Sequence, residues 1–423
     1  MFSKFDNSLS RRDWLKLSSL GALSLPVSGW LNVLAARAAG PSQPKAKHKS
    51  CILLFMEGGP SHIDTFDPKP GNSSSEIKPI STAVPGMQIS EHFPKLAMKM
   101  KDMALLRGMS TGEGSHGRAR YYMHTGYRGG VGGVIHPSMG AVASNFLGRE
   151  TDELPNFVSI GDRSYGAGYA GPLHAPVEVA RAAAGIENLH VPDTMPAFDK
   201  RTRLLDQMEK AFVDRMQIPS LEAHRATYQR ASALMHSPKS KAFDISNEPD
   251  ALREAYGRNA FGEGCLLARR LVEQGVTFVE VQLGKWDTHT NNAKRVQALS
   301  EQVDPAMSTL LTDLKQRGML DSTLVIWMGE FGRTPKVGKQ GGRDHYPKAW
   351  TSVMAGGGLK LGQAVGRTDK EGGTVEEGKV TAVDFMATVC KALGIDYTKE
   401  LHTPAGRPMR VVDKGEKPVA ELF

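Results

Sequence analysis

Cys51-Ile-Leu-Leu-Phe-Met56, followed at once by Glu57-Gly-Gly-Pro-Ser-His-Ile-Asp-Thr-Phe-Asp-Pro-Lys69, reads as a strand opening into a polar loop. Six consecutive apolar residues suit a strand covered on both faces, as in parallel sheets. Comparable short strands are predicted at Phe157–Ile160, Val276–Leu283, Leu324–Met328 and Trp350–Met354, with another at Met103–Arg107. Between them the 3.6-residue period predicts helices at Pro94–Lys101, at His116–His124 stopped by Gly126, and at Pro137–Leu147. Others are Phe261–Gln274 capped by Gly275, Val296–Arg317, and Val383–Leu393 ended by Gly394. Alternating strands and helices imply an α/β fold, a mostly parallel central sheet with helices on both faces. The stretch of about 165–250 changes to a polar, Ala- and Arg-rich composition with helical periodicity at Leu204–Met216 and Glu222–Met235. It reads as a helical insertion.

Ahead of this domain, Ser10-Arg11-Arg12-Asp13-Trp14-Leu15-Lys16 precedes an uncharged stretch, Leu17–Leu34, and an A-x-A site at Ala36 and Ala38. The pattern is a twin-arginine signal peptide over residues 1–39, with a linker at 40–49 and the domain at 50–423. The expected partner in export is the Tat translocase, and the expected location is periplasmic or extracytoplasmic. Twin-arginine substrates cross folded, so a metal could be loaded beforehand. Changing Arg11 and Arg12 together to Lys is expected to hold the precursor in the cytoplasm. Normal export of that variant, followed by cell fractionation, would reject the signal.

The chain has 423 residues, 40% hydrophobic and 23% charged, with a net charge of +8. This is the make-up of a soluble globule, with no later apolar run long enough for a membrane span. The positive excess is modest and forms no Lys/Arg run, which argues against nucleic acid and suits anionic esters. Cys51, Cys265 and Cys390 are odd in number, widely spaced and set in apolar contexts, so no disulfide framework is expected. No P-loop, G-x-G-x-x-G, G-x-S-x-G or H-E-x-x-H motif occurs.

Ligands in α/β sheets gather at the carboxyl ends of the strands. Four polar clusters follow predicted strands: Glu57 with Ser61, His62, Asp64 and Asp67; Trp286-Asp287-Thr288-His289; Gly329-Glu330-Phe331-Gly332-Arg333; and Gly341-Gly342-Arg343-Asp344-His345. Carboxylates and imidazoles together suit a divalent ion. Each cluster also has a plain structural reading: Asp64, Asp67, Asp287 or Asp344 as turn or helix caps, and Glu330 with Arg333 as an internal ion pair. Thr111, Ser115 and His116 lie where a strand gives way to a helix, a place that favours anionic oxygens. His124, further along the same helix, is read as packing.

Together the export signal, the 58–69 loop, Trp286-Asp-Thr-His289, Glu330-Phe-Gly-Arg-Thr-Pro335 and Arg343-Asp-His-Tyr-Pro347 resemble domain-of-unknown-function family 1501, exported proteins of planctomycetes and related bacteria. The resemblance implies an alkaline-phosphatase/sulfatase-like sandwich with a metal centre at the strand ends. It carries metal ligation to Glu57, Asp287, His289, Glu330, Asp344 and His345. It sets His116 where that superfamily has its nucleophile, and the sulfatase Cys-x-Pro-x-Arg motif is absent. The function implied is hydrolysis of phosphate or sulfate esters, with an anionic small-molecule or glycan ester as substrate. The cofactor would be a divalent metal, Zn or a Zn/Mg/Ca-type pair. Candidate catalytic residues are His116, Ser115 and Thr111, with Arg333 or Arg118 holding the anion. The alternative is a non-catalytic protein of the same fold, with a structural metal, binding a glycan or a partner protein.

Overall fold

The computed structural model describes residues 49–423 except 71–74, 131–132, 150–151, 188, 190–193 and 217–218. The expected signal peptide, and the linker up to residue 48, lie outside the described residues. From His48 onward the chain forms one compact unit. Its main sheet has eight strands: β1 Ser50–Phe55, β2 Met103–Met109, β3 Phe157–Ile160, β4 Val177–Val179, β5 Phe278–Gln282, β6 Thr323–Met328, β7 Trp350–Gly356 and β8 Gln363–Val365. Their order across the sheet is β8-β2-β7-β6-β1-β5-β3-β4. All neighbours run parallel except β7, which is antiparallel to both β2 and β6.

The nine helices among the described residues are α1 Pro94–Met98, α2 His116–Thr125, α3 Met139–Leu147, α4 Met195–Met216, α5 Pro219–His236, α6 Asp250–Tyr256, α7 Ala260–Glu273, α8 Asn292–Gln316 and α9 Ala382–Leu393. None is long and apolar enough to cross a membrane. Strand alternation splits the core in two. Ile52, Leu54 and Met56 enter one cluster with Leu266, Leu267, Val303 and Leu310 of α7 and α8. Cys51, Leu53 and Phe55 enter the other, with Val142 of α3 and Phe385 and Val389 of α9. All three cysteines are buried and unpaired, as their apolar settings implied.

Two expectations shift. The predicted Pro94–Lys101 helix stops at Met98 and gives way to a 3-10 turn at Met100–Asp102. The 165–250 stretch is not helical from its start, because Val177–Val179 pairs in parallel with β3 and completes the sheet edge. Three residues are too few for a period to register. The predicted helices within that stretch correspond to α4 and α5.

The register positions the site. Phe55 at the end of β1 lies opposite Gln282 of β5 and Met328 of β6. Three adjacent strands therefore finish level, and the segments beginning at Glu57, Leu283 and Gly329 leave the sheet side by side. α2 follows β2 on the same rim. It ends where Gly126 adopts φ 73°, the left-handed conformation that closes a helix at a glycine.

Candidate metal centre

Close backbone contact builds the site before any side chain enters it. Gly58 has φ +113°, and a Cβ there would lie 2.3 Å from the backbone nitrogen of Asp287. A Cβ on Gly342 would lie 1.8 Å from the carbonyl oxygen of His289. Only glycine at both places lets the 57–60, 286–290 and 341–346 segments pack together. Gly332–Arg333 and His345–Tyr346 then pair as a short antiparallel ribbon, with His345 opposite Arg333. That ribbon folds His345 back over the end of β6.

The result is a cluster around one oxygen. Asp287 Oδ1 is 3.0 Å from His289 Nε2 and 3.4 Å from both His116 Nε2 and His345 Nε2. His289 Nε2 and His345 Nε2 are 3.0 Å apart. The four side chains are 28–45% exposed, so solutes can reach them.

The other nitrogen of each ring fixes what these atoms are. His345 Nδ1 lies 2.7 Å from the Gly114 carbonyl, which can only accept, so Nδ1 carries the proton. His289 Nδ1 donates to Asp344 Oδ1 at 3.0 Å, and His116 Nδ1 to Glu330 Oε1 at 2.6 Å. With Nδ1 so engaged, the neutral form of each ring turns a bare Nε2 lone pair toward Asp287. His116 Nε2 is buried without a hydrogen-bond partner. Lone pairs and a carboxylate converging at about 3 Å need positive charge among them, which Arg333 supplies in part, at Asp287 and 3.5 Å from His289 Nε2, and which a bound cation would complete. Ligand atoms about 2.0–2.1 Å from a tetrahedral ion sit roughly 3.3 Å from one another, close to the spacing here. The residues present therefore fit a divalent ion.

Electrostatics agree. Burial would raise the Asp287 carboxyl, but the Arg333 hydrogen bond and charge, with His116 and His289, hold it below the usual range. Burial lowers His345, which favours its neutral, ligating form. The Glu330 hydrogen bond raises His116 above 6.5, against the opposing effect of burial. Arg333 is fully buried. It donates to the carbonyls of Gly59 at 3.0 Å, Arg343 at 3.1 Å and Gly58, and to the Asp287 carboxylate. Burial lowers the Arg333 pKa, partly offset by Asp287.

Other expected site residues have different partners. Glu330 is fully buried and accepts the Gly58 N–H at 3.0 and 3.2 Å as well as His116, so it orients an imidazole. Asp344 orients His289. Glu57 faces the Arg120 guanidinium at 2.6 Å instead of the imidazoles. Arg118 is exposed and paired with Glu113. Ser115 caps α2 through its backbone position, without a side-chain cap bond, and its N–H goes to Glu113. Thr111 Oγ1 is buried without a partner. Asp64 and Asp67 are structural: Asp64 pairs with Arg343, and Asp67 with Arg107 and Lys69.

Arg120, which no sequence motif singles out, joins this rim, and His124 is fully buried there. Both lie one and two helical steps of four from His116, on one face of α2. That face crosses the carboxyl ends of β6, β1 and β5: His116 meets Glu330, Arg120 meets Glu57, and His124 meets the buried Glu280 at 3.2 Å. The i, i+4, i+8 spacing of these basic residues was the available signal.

Residues 48–423, the whole compact unit, match the family described as protein of unknown function, DUF1501. The chain belongs to this family. None of the curated proteins matches it. Among solved structures, a sulfatase from Pseudoalteromonas sp. aligns at 14% identity over 88% of this chain and 72% of its own, with a TM-score of 0.41. An alkaline phosphatase from the Antarctic bacterium TAB5 aligns at 12% identity, 82% and 98% coverage and a TM-score of 0.36. A protein solved with its substrate D-glucosamine-2-N,6-O-disulfate aligns at 11% identity, 89% and 82% coverage and a TM-score of 0.36. Scores this low transfer no activity to the DUF1501 chain, whose site has to be read from its own residues.

Proposed function

We propose that this DUF1501 protein is an exported, metal-dependent hydrolase of phosphate or sulfate esters. The observation that carries the proposal is the set of three oriented Nε2 atoms and one carboxylate, from His116, His289, His345 and Asp287, on the solvent-reachable rim of the sheet. These four residues would hold the ion. When bound, a divalent ion supplies Lewis acidity toward an ester oxygen and lowers the pKa of a water.

The chain's own residues do the rest. Asp344, Glu330 and the Gly114 carbonyl keep each ring in the tautomer that presents Nε2. The Glu330 hydrogen bond also raises His116 above the ordinary imidazole value, which suits it to take a proton from an attacking water if it leaves the ligand set. Arg333 fixes Asp287 and puts a permanent positive charge beside it, where an anionic ester group would be drawn. Among the described residues no hydroxyl is hydrogen-bonded to the imidazole cluster, which supports attack by water over a seryl or threonyl route.

The purified protein is expected to retain a divalent ion after dialysis and to cleave p-nitrophenyl phosphate or p-nitrophenyl sulfate. A protein without ion refutes the metal reading. Full ion occupancy with no turnover on any ester supports the non-catalytic alternative. Ser115→Ala and Thr111→Ala are each expected to keep most activity, while His116→Ala loses at least about a hundredfold in kcat. A covalent phospho- or sulfo-seryl adduct at Ser115 would overturn the water route.

A further inference from the structure

The other polar site on this rim is built on oxygen and already contains a charge. The Arg120 guanidinium donates to Glu57 Oε1 at 2.6 Å, to Gln282 Oε1 at 2.9 Å and to the Arg163 carbonyl at 2.7 Å. A carboxylate, a side-chain amide oxygen and a backbone carbonyl form the kind of ligand set that hard cations such as Ca²⁺ take. Gln282 is held with its oxygen toward Arg120, because its amide nitrogen donates to the Asp162 carbonyl at 3.1 Å and to Glu280 at 2.9 Å. The guanidinium is also sandwiched, 5.4 Å from the Phe55 ring centroid and 5.7 Å from that of Tyr165. It is a fixed part of the site.

Glu57 is joined to the imidazole cluster in space through the segments beside it. Its carbonyl accepts the Trp286 N–H at 3.1 Å, and the next residue, Gly58, donates to Glu330. Glu57 and Glu330 are the strand-end carboxylates beside Gly58 that a second ion could use. Glu330 already has Gly58 and His116 on its oxygens, and Glu57 has Arg120.

We infer that Arg120 takes the place of a second metal ion: the centre works with one divalent ion and one covalently tethered cation, and Glu57 is the counter-charge of Arg120, not a metal ligand. This rests on the single-ion reading of the imidazole cluster. It gives α2 a double task, presenting an ion-facing imidazole at His116 and, one helical step on, a guanidinium that neutralises the neighbouring strand end. Arg has the chemistry for the position, since it stays charged when partly buried and binds several oxygens in one plane.

The test counts ions without reading activity. The full mature chain is equilibrated with Zn²⁺ plus Ca²⁺, dialysed, and analysed by plasma mass spectrometry. Calorimetric titration with Ca²⁺ runs alongside, and circular dichroism verifies folding. Wild type is expected to carry one ion per chain. Arg120→Ser empties the oxygen cage and is expected to carry one more ion than wild type, while Arg120→Lys, which restores a tethered cation, returns to the wild-type count. Glu57→Gln is expected to leave affinity at the imidazole cluster within about threefold, where loss of a ligand or its orienting partner costs 10- to 100-fold or more.

Two ions in wild type would overturn the inference. So would an Arg120→Ser protein that is folded yet gains none, or tenfold weaker binding in Glu57→Gln. If wild type holds no ion, the proposed function fails and the one-ion centre with it, while a gain of one ion in Arg120→Ser still supports Arg120 as the stand-in for an ion and its absence overturns that part too. Should Arg120→Ser not fold, the Glu57→Gln affinity and the wild-type count decide.

Discussion

Replacing Asp287 by Asn is expected to leave a folded chain that no longer retains a divalent ion and that loses about a hundredfold or more in ester turnover. One atom, Asp287 Oδ1, lies within 3.4 Å of three imidazole nitrogens. Among the described residues it is the carboxylate that faces all three Nε2 atoms, while Glu330 and Asp344 meet the rings at Nδ1. The amide keeps the shape and can still accept from Arg333, but it removes that charge, and a divalent ion among three imidazoles is held far less well. His345→Ala should do the same for a different reason. It deletes one Nε2 and frees the Gly114 carbonyl, which then has to find water. Metal content measured beside turnover on p-nitrophenyl esters separates the outcomes. An Asp287→Asn protein with its ion still bound would sink the ligand assignment.

The largest effect on stability is expected away from the cluster, at Asp64. This carboxylate pairs with Arg343 at 2.7 and 3.1 Å, and both side chains are about 1% exposed. Asn292 Nδ2 adds a third donor at 2.7 Å. Arg343 in turn donates to the carbonyls of Thr334 and Pro335 at 2.8 and 2.6 Å, tying down the two arms of the ribbon that carries His345. Removing one partner of a buried pair strands the other charge, so Asp64→Ala is expected to cost about 3–5 kcal/mol, read from urea unfolding. The double replacement Asp64→Leu with Arg343→Met should recover part of that loss, because no charge is then left buried alone. Asp64→Ala should also weaken ion binding although Asp64 touches no ligand. A loss under about 1 kcal/mol would mean that water reaches the pair, contrary to its burial.

The course of these segments was visible in local patterns. The apolar run at Cys51–Met56 and the shorter runs at Phe157, Val276, Leu324 and Trp350 announced most of the central sheet, because burial on both faces leaves little room for polar alternation. Gly126 and Gly394 marked helix ends, since both adopt the left-handed conformation that glycine takes without cost. The three-residue strand at Val177 was not legible. Its place is set by pairing with β3, and nothing in so few residues separates a strand from a loop.

The sequence by itself determined which segments leave the strand ends: loops rich in Asp, His, Glu and Arg, a helix beginning at His116, and glycines between them. Tertiary structure decided the role of each residue. Glu57, Glu330, Asp344 and Asp287 are all strand-end or loop carboxylates with similar local settings. One faces a guanidinium, two hold imidazoles, and one gathers three imidazole nitrogens. Those partners lie 63, 214 and 55 residues away in the chain, and the three imidazoles on Asp287 lie 171, 58 and 2 away. Except for the last, no local spacing encodes them. They follow from the level ending of β1, β5 and β6, from α2 lying across those ends, and from glycine contacts too close for any side chain. A carboxylate's chemistry is set by which charge faces it, and that is fixed only when separate loops pack against one another.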